Sequence, residues 1–144
     1  DARFRKALSL AEAAHGPESP VVAESLVNLS ALAAYRGQPL DGKPHIERAV
    51  AILAAHADDE PLALANARMS LANVRMQEGR SDEAIAEMVS AVELSRAHLP
   101  PGDQRLPVAL FNLGAAEFSV GRYAEAQPHL DEAIALTEAL QGND

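Results

Sequence analysis

At 144 residues, with a formal net charge of −9 and only Lys6 and Lys43 for lysine, the chain lacks the clustered basic side chains that phosphate binding draws on, so nucleic acid is not its expected partner. The absence of cysteine removes disulfide scaffolds, thiolate metal sites and thiol nucleophiles, and accords with an expected cytoplasmic setting. Hydrophobic residues make up 48% of the chain but aromatics only 3%, so the interior must be built from Ala, Leu, Val and Ile, a composition that favours closely packed helices over strands.

In chain order, the first expected helix lies near residues 2–14 and carries Phe4, Ala7, Leu8 and Leu10. Ser19-Pro20 opens a second, near 20–36, since proline at the first helical position forfeits no hydrogen bond. Gly37 should end it, and a third helix follows near 43–56. Within that helix Ala49 to Ala55 is the longest apolar run, bounded by Arg48 and His56, and it falls far short of the roughly 18 residues that a membrane span requires. Glu60-Pro61 opens a fourth helix near 61–78. Gly79-Arg80-Ser81-Asp82-Glu83 then reads as a turn: glycine for the left-handed residue, Ser81 as N-cap, and acids in the positive first turn of a fifth helix near 82–98. A sixth helix near 105–120 and a seventh near 123–140 flank the similar turn Gly121-Arg122-Tyr123-Ala124-Glu125. Seven helices and no strand are expected. The chain opens at Asp1 without Met and closes on Gln141-Gly142-Asn143-Asp144, which reads as the start of another connecting loop, so the array is expected to continue on both sides.

A repeat underlies these elements. Gly37, Gly79 and Gly121 stand 42 residues apart, as do Leu29, Leu71 and Leu113. Four-member rows extend the offset with no insertion: Phe4, Ile46, Met88, Leu130 are large and apolar, and Ala7, Ala49, Ala91, Ala133 are small. Each unit is therefore two antiparallel helices, A and B, joined by a glycine turn. The chain begins with a lone B helix (1–16) and continues with full units at 20–56, 61–98 and 105–140, in one domain. The rows are expected to be core, with the small residues letting helix axes approach to roughly 8 to 10 Å.

These residues resemble the tetratricopeptide repeat, which places a large residue, Leu and a small residue along helix A, and Ala, a large apolar residue and Ala along helix B. The third unit supplies Leu110, Leu113, Gly114, Ala126, Leu130 and Ala133. The second supplies Leu71, Ala72, Ala84, Met88 and Ala91, with Arg68 where a large apolar residue is expected; the first supplies Leu26, Leu29, Ser30, Ile46 and Ala49, with Gly42 replacing the helix B alanine. The 42-residue period, Asn-Leu in helix A and Gly-Arg-Tyr-Ala-Glu-Ala at the turn are most similar to the longer, kinesin-light-chain variety. The resemblance implies an all-α fold, an α-α superhelix that is a right-handed solenoid of antiparallel helix pairs, and a non-catalytic scaffold for a protein or peptide within a larger protein.

No phosphate-binding Gly-rich loop, His-Glu-x-x-His, calcium loop or Gly-x-Ser-x-Gly is present, so no enzyme, cofactor or metal is expected. His56 and His98, and His45 and His129, are repeat equivalents, about 10 Å or more apart on stacked helices, too far to share an ion; they are expected to be solvated. Asn28-Leu29-Ser30 matches a glycosylation sequon but falls inside a helix. The acids Glu83, Glu87, Glu93, Glu125, Asp131, Glu132 and Glu138 fall on B helices and are expected on a solvated convex side.

The A-helix side opposite the core carries Glu24, Val27, Asn28, Ala31, Ala34 and Tyr35, then Asn66, Met69, Ser70, Asn73, Met76 and Gln77, then Val108, Phe111, Asn112, Ala115, Phe118 and Ser119. In proteins of the resembling family this side lines a concave groove for an extended peptide or partner helix. The candidate ligand-binding residues are accordingly Glu24, Asn28, Tyr35, Asn66, Met69, Ser70, Asn73, Gln77, Phe111 and Asn112. Asn28, Ser70 and Asn112 form a polar row, and an amide can both donate to and accept from a peptide backbone; the competing reading is that the asparagines serve interhelical contacts. The net charge suits a basic partner. An alternative is a structural spacer or self-association module, in which uncovered solenoid ends such as Phe4, Ala7, Leu8 and Leu10 stack on one another.

Overall fold

The structure, a computed structural model, describes residues 2–142; of the expected C-terminal loop, Asn143 and Asp144 lie outside them. The described residues form seven α-helices and no strand: α1 (Ala2–His15), α2 (Pro20–Tyr35), α3 (Lys43–Ala55), α4 (Pro61–Gln77), α5 (Ser81–His98), α6 (Arg105–Ser119) and α7 (Tyr123–Gln141), with a short 3-10 turn over Pro39–Gly42. Each helix packs on its neighbours in sequence, and α2 also touches α4, so the pairs α2/α3, α4/α5 and α6/α7 stack as an α-α superhelix.

The three intra-unit turns are built alike. Gly37, Gly79 and Gly121 adopt φ of +74°, +75° and +82°. Space does not select glycine there, since nothing lies within 4 Å of where a Cβ would stand; the left-handed backbone does. In each turn the residue after glycine donates its N–H back into helix A: Gln38 to Ala33, Arg80 to Arg75, and Arg122 to Glu117, at 2.9–3.0 Å, which satisfies carbonyls the helix end would orphan. Ser19 caps α2, accepting from the Val22 N–H at 3.4 Å, with Pro20 in the first turn. Ser81 does not act as the expected cap. It is already the first residue of α5, Arg80 takes the cap position, and no side chain closes that helix end; Asp82 and Glu83 do occupy the first turn.

Two buried clusters run through the stack and meet in α4. Val22, Leu26, Ile46, Ile52, Leu64 and Leu71 belong to the first; Ala72, Met88, Leu110 and Leu113 belong to the second. The small-residue rows sit at the crossings. A Cβ on Gly42 would stand 2.8 Å from Ser30 Oγ and 2.9 Å from Ser30 Cα, and one on Gly114 would stand 2.7 Å from Leu130 Cγ. Gly42 thus lets α3 begin against α2 where Ala84 and Ala126 serve the later units, both fully buried. The prolines around it, Pro39 and Pro44, replace the first α-helical turn by the 3-10 turn.

Arg68, out of place in an apolar row, finds its explanation across the unit. Glu87 is buried, not on the solvated side expected for it: Arg68 Nη1 donates to its Oε2 at 2.6 Å and Arg75 Nη1 to its Oε1 at 2.9 Å. The Nε atoms of both arginines are buried with no hydrogen-bond partner among the described residues. His98 is exposed as expected, but His56 and His129 depart from the solvated expectation. His129 Nδ1 lies 2.7 Å from Oε2 of Glu117, a carboxylate only 3% exposed, and His56 Nδ1 lies 2.9 Å from the Ile52 carbonyl. The other B-helix acids are mostly exposed, though Glu132 accepts from Arg96 Nη1 at 2.5 Å and Asp82 accepts from Arg122.

Candidate ligand groove

Two cavities lie between successive A helices. One, of about 400 Å³, is framed by α4 and α6 and floored by α5; its lining includes Asn66, Met69, Asn112, Ala65, Val108 and Ala109. The other, of about 310 Å³, is framed by α2 and α4 with Leu53 of α3 beneath; its lining includes Glu24, Asn28, Val27, Glu60 and Asn66. They are one site repeated. Glu24 and Asn66 are 42 residues apart, as are Val27 and Met69, and Leu53 and Ser95, and each pair takes the same place in its own cavity. Asn66 borders both, so the sockets join along the A helices.

Of the ten candidate residues, Glu24, Asn28, Asn66, Met69 and Asn112 line these sockets. Phe111 is exposed on α6 and lines a third cavity, of about 320 Å³, between α6 and α7 with Val108, Ile134 and Thr137. Tyr35, Asn73 and Gln77 are exposed farther along the helices and border none of these cavities; Ser70 is half-buried, its hydroxyl donating to the Asn66 carbonyl at 3.1 Å. Met69 and Met76 lean on the second core cluster, which leaves only part of each side chain to the groove. Phe118 turns to Tyr123 across the Gly121 turn, ring centroids 5.0 Å apart.

Sequence reasoning missed the socket ends. Glu60, Gln104 and Arg105 come from the loops between units, or the first residue after one, where the repeat rows give no signal. Leu53 and Ser95, on the B helices, could have been found by following their 42-residue relation. Arg105 is not a free cation: its Nε and Nη2 donate to Asp103 at 2.9 and 2.7 Å, and its backbone N–H donates to Asp103 Oδ1 at 2.9 Å. These bonds, the side-chain ones first, hold the Asp103 carboxyl down at about 2. No group of three or more His, Cys, Asp or Glu among the described residues is placed to hold a metal ion, and no helix is long and apolar enough to cross a membrane.

Comparisons with known proteins agree with the architecture. A sequence model described as tetratricopeptide repeat matches residues 63–139. No curated protein matches the chain significantly. Among solved structures, BtubC (BKLC) from P. vanneervenii is similar with a TM-score of 0.82 at 18% identity, over 96% of this chain and 56% of that one. A Podosopora anserina protein described as a kinesin light chain with nearly identical TPR-like repeats is similar with a TM-score of 0.79 at 18% identity, over 94% of this chain and 64% of that one. The chain thus spans less than two thirds of either structure, and at such identities the likeness is one of fold.

Proposed function

The chain belongs to the tetratricopeptide repeat family, a fold that generally mediates protein–protein interaction, and from that premise we propose that it is a non-catalytic scaffold that holds a peptide or partner segment along its A helices. The observation that carries this reading is the pair of repeat-equivalent sockets joined at Asn66. Asn28, Asn66 and Asn112 border them in the manner of a row of amides, each able to satisfy both the N–H and the C=O of a peptide backbone laid across it. The setting we assign is the cytoplasm, in keeping with the lack of cysteine.

The test is titration of a peptide selected by the wild-type chain into an Asn28→Ala/Asn112→Ala double variant. Each amide hydrogen bond contributes about 0.5 to 1.5 kcal/mol, so the expected loss is roughly tenfold to a hundredfold in Kd. Both side chains lie outside the core, so the melting temperature should hold. The control changes Glu93 and Glu125, both exposed on B helices, to Gln. If the control loses affinity and the amide variant does not, the convex side is the working surface.

A second reading, self-association through the solenoid ends, is favoured by one observation. Ile134 of α7 is 56% exposed, whereas its repeat equivalent Val92, covered by α6, is 5% exposed. At the other end no residue of α1 is buried. Light scattering of the wild type against Ile134→Lys distinguishes the two: a dimer that becomes a monomer supports stacking, and a monomer throughout rejects it.

A further inference from the structure

Resting on the groove reading, we infer that the two sockets take different side chains from one peptide: a lysine or arginine between α2 and α4, and an aliphatic or Met side chain between α4 and α6, three residues apart. The sockets share a position in the repeat and differ in chemistry. The α2/α4 socket is bordered by the carboxylates of Glu24 and Glu60, and neither makes a hydrogen bond or ion pair among the described residues. The loop beside it reads Asp58-Asp59-Glu60, with both aspartates exposed. The N-termini of α2 and α4 each offset about half a charge, which still leaves the socket net negative.

At the corresponding place in the α4/α6 socket, Glu24 is replaced by Asn66 and Asp58-Asp59-Glu60 by the uncharged Pro100-Pro101-Gly102, while the Asp103 and Arg105 that follow spend their opposite charges on each other. Apart from Ser95, Gln104 and Asn112, the remaining walls there, among them Leu62, Ala65, Met69, Val108 and Ala109, are apolar. A cation therefore finds uncompensated carboxylates in one socket, and an apolar side chain finds a roomier space with mostly apolar walls in the other. Desolvating a carboxylate-bearing peptide side chain against Glu24 would be opposed by like charge.

The spacing follows from helix packing. Because α2 and α4 are in contact, the step from one socket to the next is taken as one helix-packing distance, about 8 to 10 Å; a polyproline II chain rises about 3.1 Å per residue with three residues per turn, so positions i and i+3 face the same side about 9 Å apart. A β-strand, with same-face positions at about 7 or 13 Å, matches the sockets less well.

The test is selection of short random peptides displayed on phage, performed in parallel on the wild-type chain and on a Glu24→Gln/Glu60→Gln variant, with the enriched peptides then measured by fluorescence anisotropy. The wild type should enrich Lys or Arg three positions from Leu, Ile, Val or Met. The variant should keep the apolar position and lose the basic one, and a wild-type peptide should bind it roughly threefold to tenfold more weakly, with the difference shrinking as salt is raised. Basic enrichment that is equal on the two proteins, or an acidic consensus on the wild type, overturns the inference while leaving the groove intact. Peptides whose affinity is unmoved by Asn28→Ala/Asn112→Ala overturn the groove reading itself, and a wild-type selection with no consensus overturns both.

Discussion

The second and third units share one backbone frame and reverse the chemistry inside it. Between α4 and α5, arginines at 68 and 75 on the A helix clamp Glu87 on the B helix; between α6 and α7 the equivalent positions are Leu110, Glu117 and His129, and the carboxylate now belongs to the A helix. The first unit, with Leu26, Ala33 and His45, has no ion pair at this crossing among the described residues. In a chain whose units are interchangeable in shape, mispairing of one A helix with another unit's B helix is the characteristic hazard. Exchanging the B helices would set Glu117 against Glu87 and Arg75 against His129. The buried pairs are best understood as labels on equivalent surfaces, in keeping with the two unsatisfied Nε atoms, which argue against a role in maximal stability.

The largest expected effect tests that contrast directly. Glu87→His alone strands Arg68 and leaves Arg75 only a longer pairing with Glu83 at 3.8 Å, and should cost about 3 kcal/mol, the low end for breaking a buried pair because both arginine side chains are only partly buried. Adding Arg68→Leu and Arg75→Glu transplants the third unit's arrangement into the second and should recover most of the loss. Urea denaturation of the single and triple variants decides it; a triple variant no more stable than the single one would show that the pairs do not act as interchangeable units. Next in size, His129→Ala removes the ring Nδ1 that lies 2.7 Å from the buried Glu117 carboxylate and leaves that oxygen without its partner, which costs about 1–3 kcal/mol. His45→Ala, at the equivalent position in the first unit, should change the midpoint far less.

Much of this architecture is legible in the sequence because the repeat is. The three glycine turns and the small-residue crossings follow from residues at 42-residue spacing, each expressing one local preference, positive φ at Gly37 and close approach at Ala49 and Ala91; Pro20 and Pro61, one residue off that period, add proline-compatible helix starts. Legibility fails where residues depart from the rows. Arg68 reads as an error in the pattern until its partner is known, Glu87 and His129 read as surface residues, and Glu117 draws no reading at all, because composition cannot reveal a contact between helices. The groove was legible in part: amides on one helix face point to it, whereas the loop acids and Arg105 that give its sockets their character follow no period.

A packing contrast ranks third. Gly42→Ala brings a Cβ against the Ser30 backbone, which cannot rotate away, and should destabilise by about 1–3 kcal/mol. Gly114→Ala instead meets chiefly the Leu130 side chain, whose partly exposed position gives it room to shift, and its backbone contact, the Ala126 carbonyl at 3.2 Å, is looser than those at Gly42, so its cost should fall below that of Gly42→Ala. Thermal melts of the two variants side by side check the order; a reversal would mean that the 3-10 turn yields more readily than the α6/α7 crossing.

The smallest effect concerns a second charge reversal, on the convex surface. Arg48 donates to Glu12 at 2.7 Å and Arg96 donates to Glu132 at 2.5 Å; the two bridges are 84 residues apart, link successive B helices, and carry their signs in opposite order. Unlike Glu87, these groups are screened, with Glu132 and Arg96 side chains 36% and 50% exposed, so removing the bridge should cost no more than about 1 kcal/mol. The hydrogen bond from Arg96 nevertheless holds the Glu132 carboxyl below its ordinary 4.5. A carboxyl depressed on folding binds protons more weakly in the native state, so its contribution is complete above the unfolded value and is lost as pH falls through the lower folded one. Glu132→Gln should therefore melt slightly below wild type at pH 7, and the gap should close as the buffer is taken below 4.5. A gap that stays constant into acid would assign the loss to packing rather than to the ion pair, and a gap as large as that of Glu87→His would erase the distinction between buried and surface pairs.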